Sequence, residues 1–207
     1  MREIIFIRHA ETDMSDTFCG HSDPGLNQRG HLQLAELINT LHMEAIGAVY
    51  ASDLRRAYMT GMAIAKAFGV DCHVRPELRE INFGQWEGLT WTEIERRDKA
   101  CARRWLAEYP GLAAPDGEDF RDFEQRVLEE VKLISMEAEI KVHNVAVVTH
   151  GGVLRTLLRV LHGSSEEDAW SQTNSYCSII RHQATLSPFL QKPIASSLAN
   201  VSSPSRL

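Results

Sequence analysis

The chain has 207 residues, of which 43% are hydrophobic and 24% are charged, and its formal net charge is −6 at pH 7. These values are typical of one soluble globular domain, and the negative charge argues against a nucleic-acid or anionic-membrane surface. No apolar run approaches the ~18 residues of a membrane span, and the N-terminal apolar run is too short for a signal peptide. The sequence therefore predicts a cytoplasmic protein.

Strand and helix patterns alternate along the first half of the chain. Asn27 is expected to cap a helix whose apolar residues recur at helical spacing. A second helix is predicted from about Leu54 to Phe68, with Gly69 ending it. The predicted strands of this half are apolar runs at residues 4–7, 48–52 and 72–78.

The alternation continues to residue 182. Thr90 and Glu93 have capping-box spacing and predict a helix towards Tyr109, followed by a Pro- and Gly-rich loop. The remaining predicted elements are helices at 120–134 and 153–163 and strands at 144–150 and 176–182. This order predicts an α/β fold, a three-layer α/β/α sandwich with a largely parallel central sheet. We expect one domain over residues 1–186 and a Ser/Ala/Pro-rich tail over 187–207.

Charged and polar residues follow the predicted parallel strands, where α/β proteins bind ligands. They are Arg8-His9, Ser52–Arg56 ("SDLRR"), Glu80 and Thr149–Gly152. A buried arginine needs an anionic partner, and either Glu11 or a ligand fulfils that need for Arg8. Arginine forks match phosphate oxygens, and the Gly151-Gly152 backbone at a helix start favours an anion. The four strand ends together predict a phosphate site.

Other chemistries fit the sequence less well. The four cysteines are scattered and predict reduced thiols, and no cysteine has an arginine at cysteine-phosphatase spacing. "DMSDT" has the wrong spacing for an aspartyl nucleophile, and nucleotide-binding glycine motifs are absent. His21-x-Asp23 is the best metal fragment but has no third ligand, so we expect neither a metal nor a cofactor. Histidine is the remaining candidate nucleophile.

The motifs "RHAET", "SDLRRAYMT", "LREINFGQWEG" and "VVTHGG" resemble those of the histidine phosphatase superfamily, also called the phosphoglycerate-mutase-like family. The similarity covers residues 3–182. It implies a phosphorylated nucleophile at His9 and a proton donor at Glu80. Arg8, Arg56 and His150 are then expected to hold the phosphoryl group, with Gly151 beside them.

Two further segments, "FCGHSDPGLNQRG" and "PDGEDFRDFEQRV", resemble segments of the same family, and the second contains its P-x-G-E stretch at residues 115–118. "FCGHSDPGLNQRG" is similar to a family segment that includes the substrate-binding candidates Cys19 and Gly20, and it resembles α-ribazole-phosphate phosphatases. The family's usual glycine after the nucleophile is Ala10 here. Ser15 replaces an asparagine that contacts phosphate, which makes Ser15 a weaker phosphate-binding candidate.

Three functions follow from the resemblance. A phosphomonoesterase would transfer the phosphoryl group to water, a phosphoglycerate mutase would return it to a substrate hydroxyl, and a silent relative would only bind. "HGGV" and "FGQWEG" resemble the phosphatases. Arg103 and Arg104 resemble a mutase pair that binds a substrate carboxylate. Arginines on a charged helix more commonly face solvent. Residues 82–118 are expected to form a lid over a small phosphorylated substrate, and its candidate substrate contacts are Trp86, Trp91, Arg96, Arg97, Arg103, Arg104 and Tyr109.

Overall fold

The structure, a computed structural model, describes residues 2–139 and 143–184. The strands are β1 (Glu3–Arg8), β2 (Ile46–Ala51), β3 (Cys72–Val74), β4 (Asn144–Thr149) and β5 (Ile179–Gln183). The α-helices are α1 (Gln28–Leu41), α2 (Arg55–Phe68), α3 (Trp91–Arg97), α4 (Lys99–Glu108), α5 (Phe120–Glu139), α6 (Gly151–His162) and α7 (Glu166–Thr173). Short 3-10 turns span Pro76–Leu78 and Gly84–Trp86.

The strands of the described residues form one sheet in the order β3-β2-β4-β1-β5. The first four of these strands are parallel to their neighbours, and β5 pairs antiparallel with β1 at one edge. Parallel neighbours need crossover connections, and α1, α2 and α5 lie in those connections along the chain. The predicted α/β fold with a largely parallel sheet is confirmed.

Helices cover both faces of the sheet, because the side chains of β1 alternate between two hydrophobic clusters. Ile4 and Phe6 lie in one cluster with residues of α5 and α6, and Ile5 and Ile7 lie in the other with residues of α1 and α2. All four side chains are at most 1% exposed. Burial of each contributes about 1.5–3 kcal/mol, which requires a helix layer on each side. The three-layer arrangement is therefore also confirmed.

Two of the predicted helix ends are determined by a local hydrogen bond and by a glycine conformation. The Asn27 side chain accepts a hydrogen bond of 2.7 Å from the Gly30 N–H at the start of α1. Gly69 ends α2 at φ 66°, in the left-handed region that glycine adopts without strain. These ends lie where the sequence predicts them, whereas α6 begins two residues earlier than predicted.

The predicted helix from Thr90 towards Tyr109 is wrong as a single element. Its capping box with Glu93 is present, but α3 ends at Asp98, whose φ is −151°. The Asp98 carboxylate accepts a hydrogen bond of 2.9 Å from the Cys101 N–H and caps a separate helix, α4. An aspartate in extended conformation stops one helix and starts the next.

Two strand boundaries and one further helix also differ from prediction. Strand β3 is shorter than residues 72–78, because Pro76 has no N–H and begins a 3-10 turn. Strand β5 begins at Ile179 rather than at residue 176, after a turn. Helix α7 was not predicted, although the Ser165 side chain accepts a hydrogen bond from the Asp168 N–H at its start.

The segment 82–118 forms a small aromatic cluster of its own beside the sandwich. Its buried members are Trp86, Leu89, Ile94, Ala102, Trp105 and Ala114. The predicted tail over 187–207 lies outside the described residues. Among residues 2–139 and 143–184, no helix combines the length and apolarity that crossing a bilayer requires.

Candidate active site

Three parallel strands end at the same edge of the sheet and bring two histidines together there. His9 follows β1, Ser52 follows β2 and His150 follows β4. The His9 and His150 ring centroids are 5.1 Å apart, and His150 Nε2 lies 3.0 Å from Ser52 Oγ. Both histidines are buried. This edge is the site that the strand-end residues predict.

The hydrogen bonds of His9 define which ring nitrogen carries the proton. Nδ1 lies 2.7 Å from the Ala10 carbonyl oxygen, which only accepts, and Nε2 receives a hydrogen bond of 3.3 Å from Arg56 Nε, which only donates. A neutral ring satisfies both contacts when Nδ1 is protonated. The Nε2 lone pair therefore points towards the Arg56 guanidinium.

The electrostatic surroundings keep both histidines neutral. Burial is the largest cause that lowers the pKa of His9 well below 6.5, and the positive charges of Arg56 and Arg8 lower it further. The pKa of His150 is also well below its usual value, because of burial first and then Arg56. An unprotonated imidazole keeps the lone pair that a nucleophile needs.

Arg56 is a buried cation that contacts backbone carbonyls. It is 1% exposed. Its guanidinium donates hydrogen bonds of 2.6 Å to the Ser22 carbonyl, 3.1 Å to that of Cys19 and 2.7 Å to that of Gly20. Cys19 and Gly20, predicted to bind substrate, therefore contact Arg56 through their backbones. The exposed neighbour Arg55 has no such place in the site.

Among the residues that the structure describes, Arg8 has no carboxylate as a hydrogen-bond partner. Its Nη1 donates hydrogen bonds of 2.8 Å and 2.6 Å to the Thr173 and Asn174 carbonyls, and its Nε is buried with no hydrogen-bond partner among the described residues. The Tyr176 ring lies 4.3 Å from the guanidinium carbon. The sequence did not indicate a role for Tyr176 in the site, because this residue was assigned to the predicted strand at 176–182.

The Glu11 carboxylate contacts residues at and near the start of α1. Its carboxylate accepts hydrogen bonds from the Asn27 and Gln33 side chains and lies 3.5 Å from Arg29 Nε. These contacts fix the entry into α1. The Glu11 carboxylate is therefore not the hydrogen-bond partner of Arg8 in the described residues.

Glu80 lies against the first turn of α6. Its carboxylate oxygens accept hydrogen bonds of 2.8 Å from the Gly152 N–H and 3.0 Å from the Ile81 N–H. A Cβ at position 152 would lie 2.1 Å from Glu80 Oε1, so only glycine permits this approach. The Gly152 N–H, which we expected to face the anion, therefore holds Glu80 instead, whereas Gly151 lies next to Arg8.

Arg126 and Glu118 fix the backbone that carries Glu80. The Arg126 guanidinium donates hydrogen bonds to the carbonyls of Glu77, Arg79 and Glu80. It also forms two hydrogen bonds, of 2.6 Å and 2.9 Å, to the Glu118 carboxylate. Bidentate pairs of this kind are strong and directional. Sequence reasoning placed Glu118 in a family motif without assigning it a contact.

Glu87 holds the loop whose carbonyls contact Arg56. Its carboxylate accepts hydrogen bonds from the backbone N–H groups of Gly20, His21 and Ser22. Burial raises the pKa of Glu87, but the hydrogen bonds from Ser22, Phe83 and His21 together outweigh it and leave that pKa below its usual value. The loop is thus braced on one side by a carboxylate and on the other by Arg56.

Several predicted contacts lie away from this centre. Ser15 is exposed in the turn at 13–16, and no hydrogen bond of the described residues joins it to the other site residues. Arg103 and Arg104 are exposed on α4, where Arg104 forms an ion pair of 2.8 Å with Glu108. This is the solvated helix face that the charge pattern favoured.

The aromatic lid candidates mainly contact one another. Trp105 packs edge-on against Trp86 and Tyr109, with ring centroids 5.2 Å apart in both pairs. Trp86 and Trp105 are buried in the cluster of segment 82–118. Trp86, a predicted substrate contact, therefore packs inside segment 82–118 together with Trp105 rather than on its surface.

The His21-x-Asp23 fragment does not assemble a metal site. Asp23 accepts a hydrogen bond from the Arg55 N–H at the start of α2. Within residues 2–139 and 143–184, no three His, Cys, Asp or Glu side chains are grouped so as to hold a metal ion. The cations at this edge are instead arginine side chains.

The sequence is similar to several curated proteins. A bifunctional protein of Mycobacterium tuberculosis is 36% identical over 160 residues, which are 76% of this chain and 43% of that protein. The chain thus spans less than half the length of that relative. A metal-independent phosphoserine phosphatase of Arabidopsis thaliana is 33% identical over 169 residues, 79% of this chain and 70% of that protein.

The fold is similar to solved structures as well. The α-ribazole phosphatase of Shigella flexneri superposes with a TM-score of 0.77 at 27% identity, over 88% of this chain and 92% of that one. The family model of the histidine phosphatase superfamily (branch 1) matches residues 4–187. That range includes every side chain gathered at the carboxyl ends of β1, β2 and β4. The chain belongs to the histidine phosphatase superfamily.

Proposed function

We propose that the protein hydrolyses phosphomonoesters of small metabolites through a phosphohistidine at His9. The observation that carries the proposal is the buried, neutral His9, whose Nε2 lone pair points towards the Arg56 guanidinium. Arg8 and Arg56 form no ion pair within the described part of the chain. Two arginines of this kind match the two negative charges of a phosphomonoester.

The first step transfers the phosphoryl group to the protein. His9 Nε2 attacks phosphorus, a P–N bond forms and the P–O bond to the leaving group breaks. Arg8, Arg56 and His150, with the Gly151 backbone, bind the phosphoryl oxygens. Fixed charges in a buried site stabilise the transition state more than the same charges in water.

Glu80 supplies the proton that the leaving alkoxide needs. It is 8% exposed and is held by two backbone N–H groups beside the α6 N-terminus. After the first product leaves, water attacks phosphorus and the P–N bond breaks. Glu80 takes the proton from that water and is reset, and inorganic phosphate is released. A family member that only binds would not need a positioned proton donor.

We expect phosphate release from small phosphomonoesters to survive treatment with EDTA. Arg8 and Arg56 supply the positive charge that metal ions supply in other phosphoryl transfers, and one relative is a metal-independent phosphoserine phosphatase. The measurement is inorganic phosphate release from a panel that includes phosphoserine and α-ribazole phosphate, with and without EDTA. Activity that disappears with EDTA and returns with a divalent ion would contradict metal independence, and no release from any monoester would contradict the function.

The main alternative is a phosphoglycerate mutase, and we expect no such activity. A mutase must hold the second phosphate of a bisphosphorylated intermediate. The only candidate clamp that the sequence indicates for this second anionic group is the pair that resembles a mutase's carboxylate grip, Arg103 and Arg104. Both are exposed on α4, and Arg104 is paired with Glu108. Incubation with 3-phosphoglycerate and a trace of 2,3-bisphosphoglycerate should yield little or no 2-phosphoglycerate. Interconversion faster than phosphate release from any monoester would favour the mutase.

A further inference from the structure

A third arginine lies beside the phosphate-binding candidates. Arg155 is one helical turn after Gly151 on α6. A Cβ placed on Gly151 would lie 3.2 Å from Arg155 Nη1 and 3.6 Å from the guanidinium carbon of Arg8. The two guanidinium groups therefore flank the same point at the start of α6.

Arg155 has no acidic partner within residues 2–139 and 143–184. Its guanidinium stacks on the Trp170 ring, whose centroid is 4.4 Å from the guanidinium carbon. One turn further along α6, Arg159 forms an ion pair of 3.1 Å with Glu166. Stacking on an aromatic ring holds a guanidinium in place and leaves its edge N–H groups free.

The charges at this edge leave Arg155 unmatched. A phosphomonoester dianion balances the charges of Arg8 and Arg56, and it leaves one further guanidinium next to Arg8. Like charges this close repel each other, and the charge of Arg155 adds to burial in lowering the pKa of Arg8. A second anionic group on the ligand would remove that repulsion.

The Tyr109 phenol lies within electrostatic range of Arg155, whose charge acts on its pKa. Burial is the largest cause that raises its pKa to about 12, and the charges of Glu166 and Arg155 also act on it. The phenol therefore stays protonated at neutral pH and can donate a hydrogen bond. A carboxylate accepts hydrogen bonds from both a guanidinium and a phenol.

We infer that Arg155 is a specificity-determining residue that binds the carboxylate of a short phosphomonoester substrate. The inference rests on the proposed function. One guanidinium matches one carboxylate, and it does not supply the second phosphate site that a mutase needs. Because Arg155 and Arg8 flank the same point, the carboxylate and phosphate of the substrate are separated by only a few bonds.

The test compares two ligands that differ at one carbon. 3-Phosphoglycerate and glycerol 3-phosphate share a three-carbon skeleton, and the first has a carboxylate where the second has a hydroxymethyl group. Dissociation constants are measured by calorimetry in the full chain carrying His9→Ala, so that both ligands stay intact. The variants are Arg155→Gln and Arg155→Lys, and Arg159→Gln is the control on the same helix.

We expect 3-phosphoglycerate to bind about 10- to 100-fold more tightly than glycerol 3-phosphate, as for a charged hydrogen bond. Arg155→Gln should reduce this ratio to near 1, and Arg155→Lys should keep part of it because the charge remains. Arg159→Gln should leave it unchanged. A ratio near 1 before the change at Arg155, or a ratio that Arg155→Gln leaves unaltered, would overturn the inference.

An equal loss for both ligands would place Arg155 on the phosphoryl group and would also overturn the inference. This test can fail or succeed independently of the proposed hydrolysis, because it measures binding of the two ligands in a His9→Ala chain and not their turnover. A chain that releases no phosphate but shows the expected ratio would refute hydrolysis and support the carboxylate site.

Discussion

Replacing His9 with alanine is expected to reduce phosphate release by at least about 10⁴-fold, as loss of a covalent nucleophile does in other enzymes. The residue is buried between Arg56 and His150, and its Nε2 receives a hydrogen bond only from Arg56 among the described residues. Acid-quench of the unmodified chain during turnover should trap a phosphoenzyme that is acid-labile and alkali-stable, as a phosphoramidate is. His9→Ala should trap none.

The matched control for this experiment is His31→Ala, because His31 is an exposed histidine on α1. It should keep full activity and the same yield of phosphoenzyme. Retention of activity by His9→Ala, or a trapped phosphoenzyme in that variant, would rule out His9 as nucleophile. The experiment thus separates the loss of one particular imidazole from a general loss of histidine.

The same measurement has an expected pH dependence. Since burial and the two arginines lower the pKa of His9 well below 6.5, the imidazole stays unprotonated as the pH falls through 6.5. Phosphoenzyme formation should therefore continue below the pKa of a free histidine. A yield that follows a titration centred at 6.5 would show that the site does not keep His9 neutral.

Replacing Glu80 with glutamine should reduce turnover more for substrates with poor leaving groups than for substrates with good ones. A general acid contributes about 10²–10⁴-fold, and it matters most when the leaving alkoxide is a poor leaving group. Glu80→Gln should therefore reduce turnover of glycerol 3-phosphate by about 10²–10⁴-fold and that of p-nitrophenyl phosphate far less. The measurement is kcat/KM for both substrates, with the exposed Glu77→Gln as control.

Equal losses on the two substrates would remove Glu80 from the role of proton donor. They would indicate a structural role instead, since the Glu80 carboxylate also contacts the Gly152 and Ile81 N–H groups. Glu77→Gln should change neither value, because its side chain is exposed and only its backbone carbonyl contacts Arg126.

Local patterns in the sequence were sufficient for most elements of the fold. The apolar run of β1, the Asn27 cap and Gly69 each act within a few residues, so that they are readable without tertiary contacts. The break between α3 and α4 is also local, but Asp98 sits inside a continuous helical pattern and its capping role was not recognised. Helix α7 was missed although Ser165 and the acidic residues after it form a recognisable start.

The sequence by itself also determined which residues gather at the carboxyl ends of the strands. Parallel strands place their carboxyl ends at one edge, so that Arg8-His9, the segment Ser52–Arg56, Glu80 and Thr149–Gly152 were predictable as neighbours from the predicted strands alone. The choice of Arg56 within its segment came from the family resemblance. The order of the four motifs along the chain indicated the family. No distance between side chains was needed for either conclusion.

Only the tertiary structure decided how those residues act on one another. The lowered pKa of His9 depends first on burial and then on Arg56, which is 47 residues away in the chain, in addition to its neighbour Arg8. The tautomer depends on the same Arg56 together with the Ala10 carbonyl. The hydrogen bond from the Gly152 N–H to the Glu80 carboxylate joins positions that are 72 residues apart in the chain. Arg155 and Arg159 look alike in sequence, and the position of Glu166 leaves one paired and the other without an acidic partner in the described residues. Electrostatic interactions depend on distance and burial in space, which is why the charge pattern alone left these roles open.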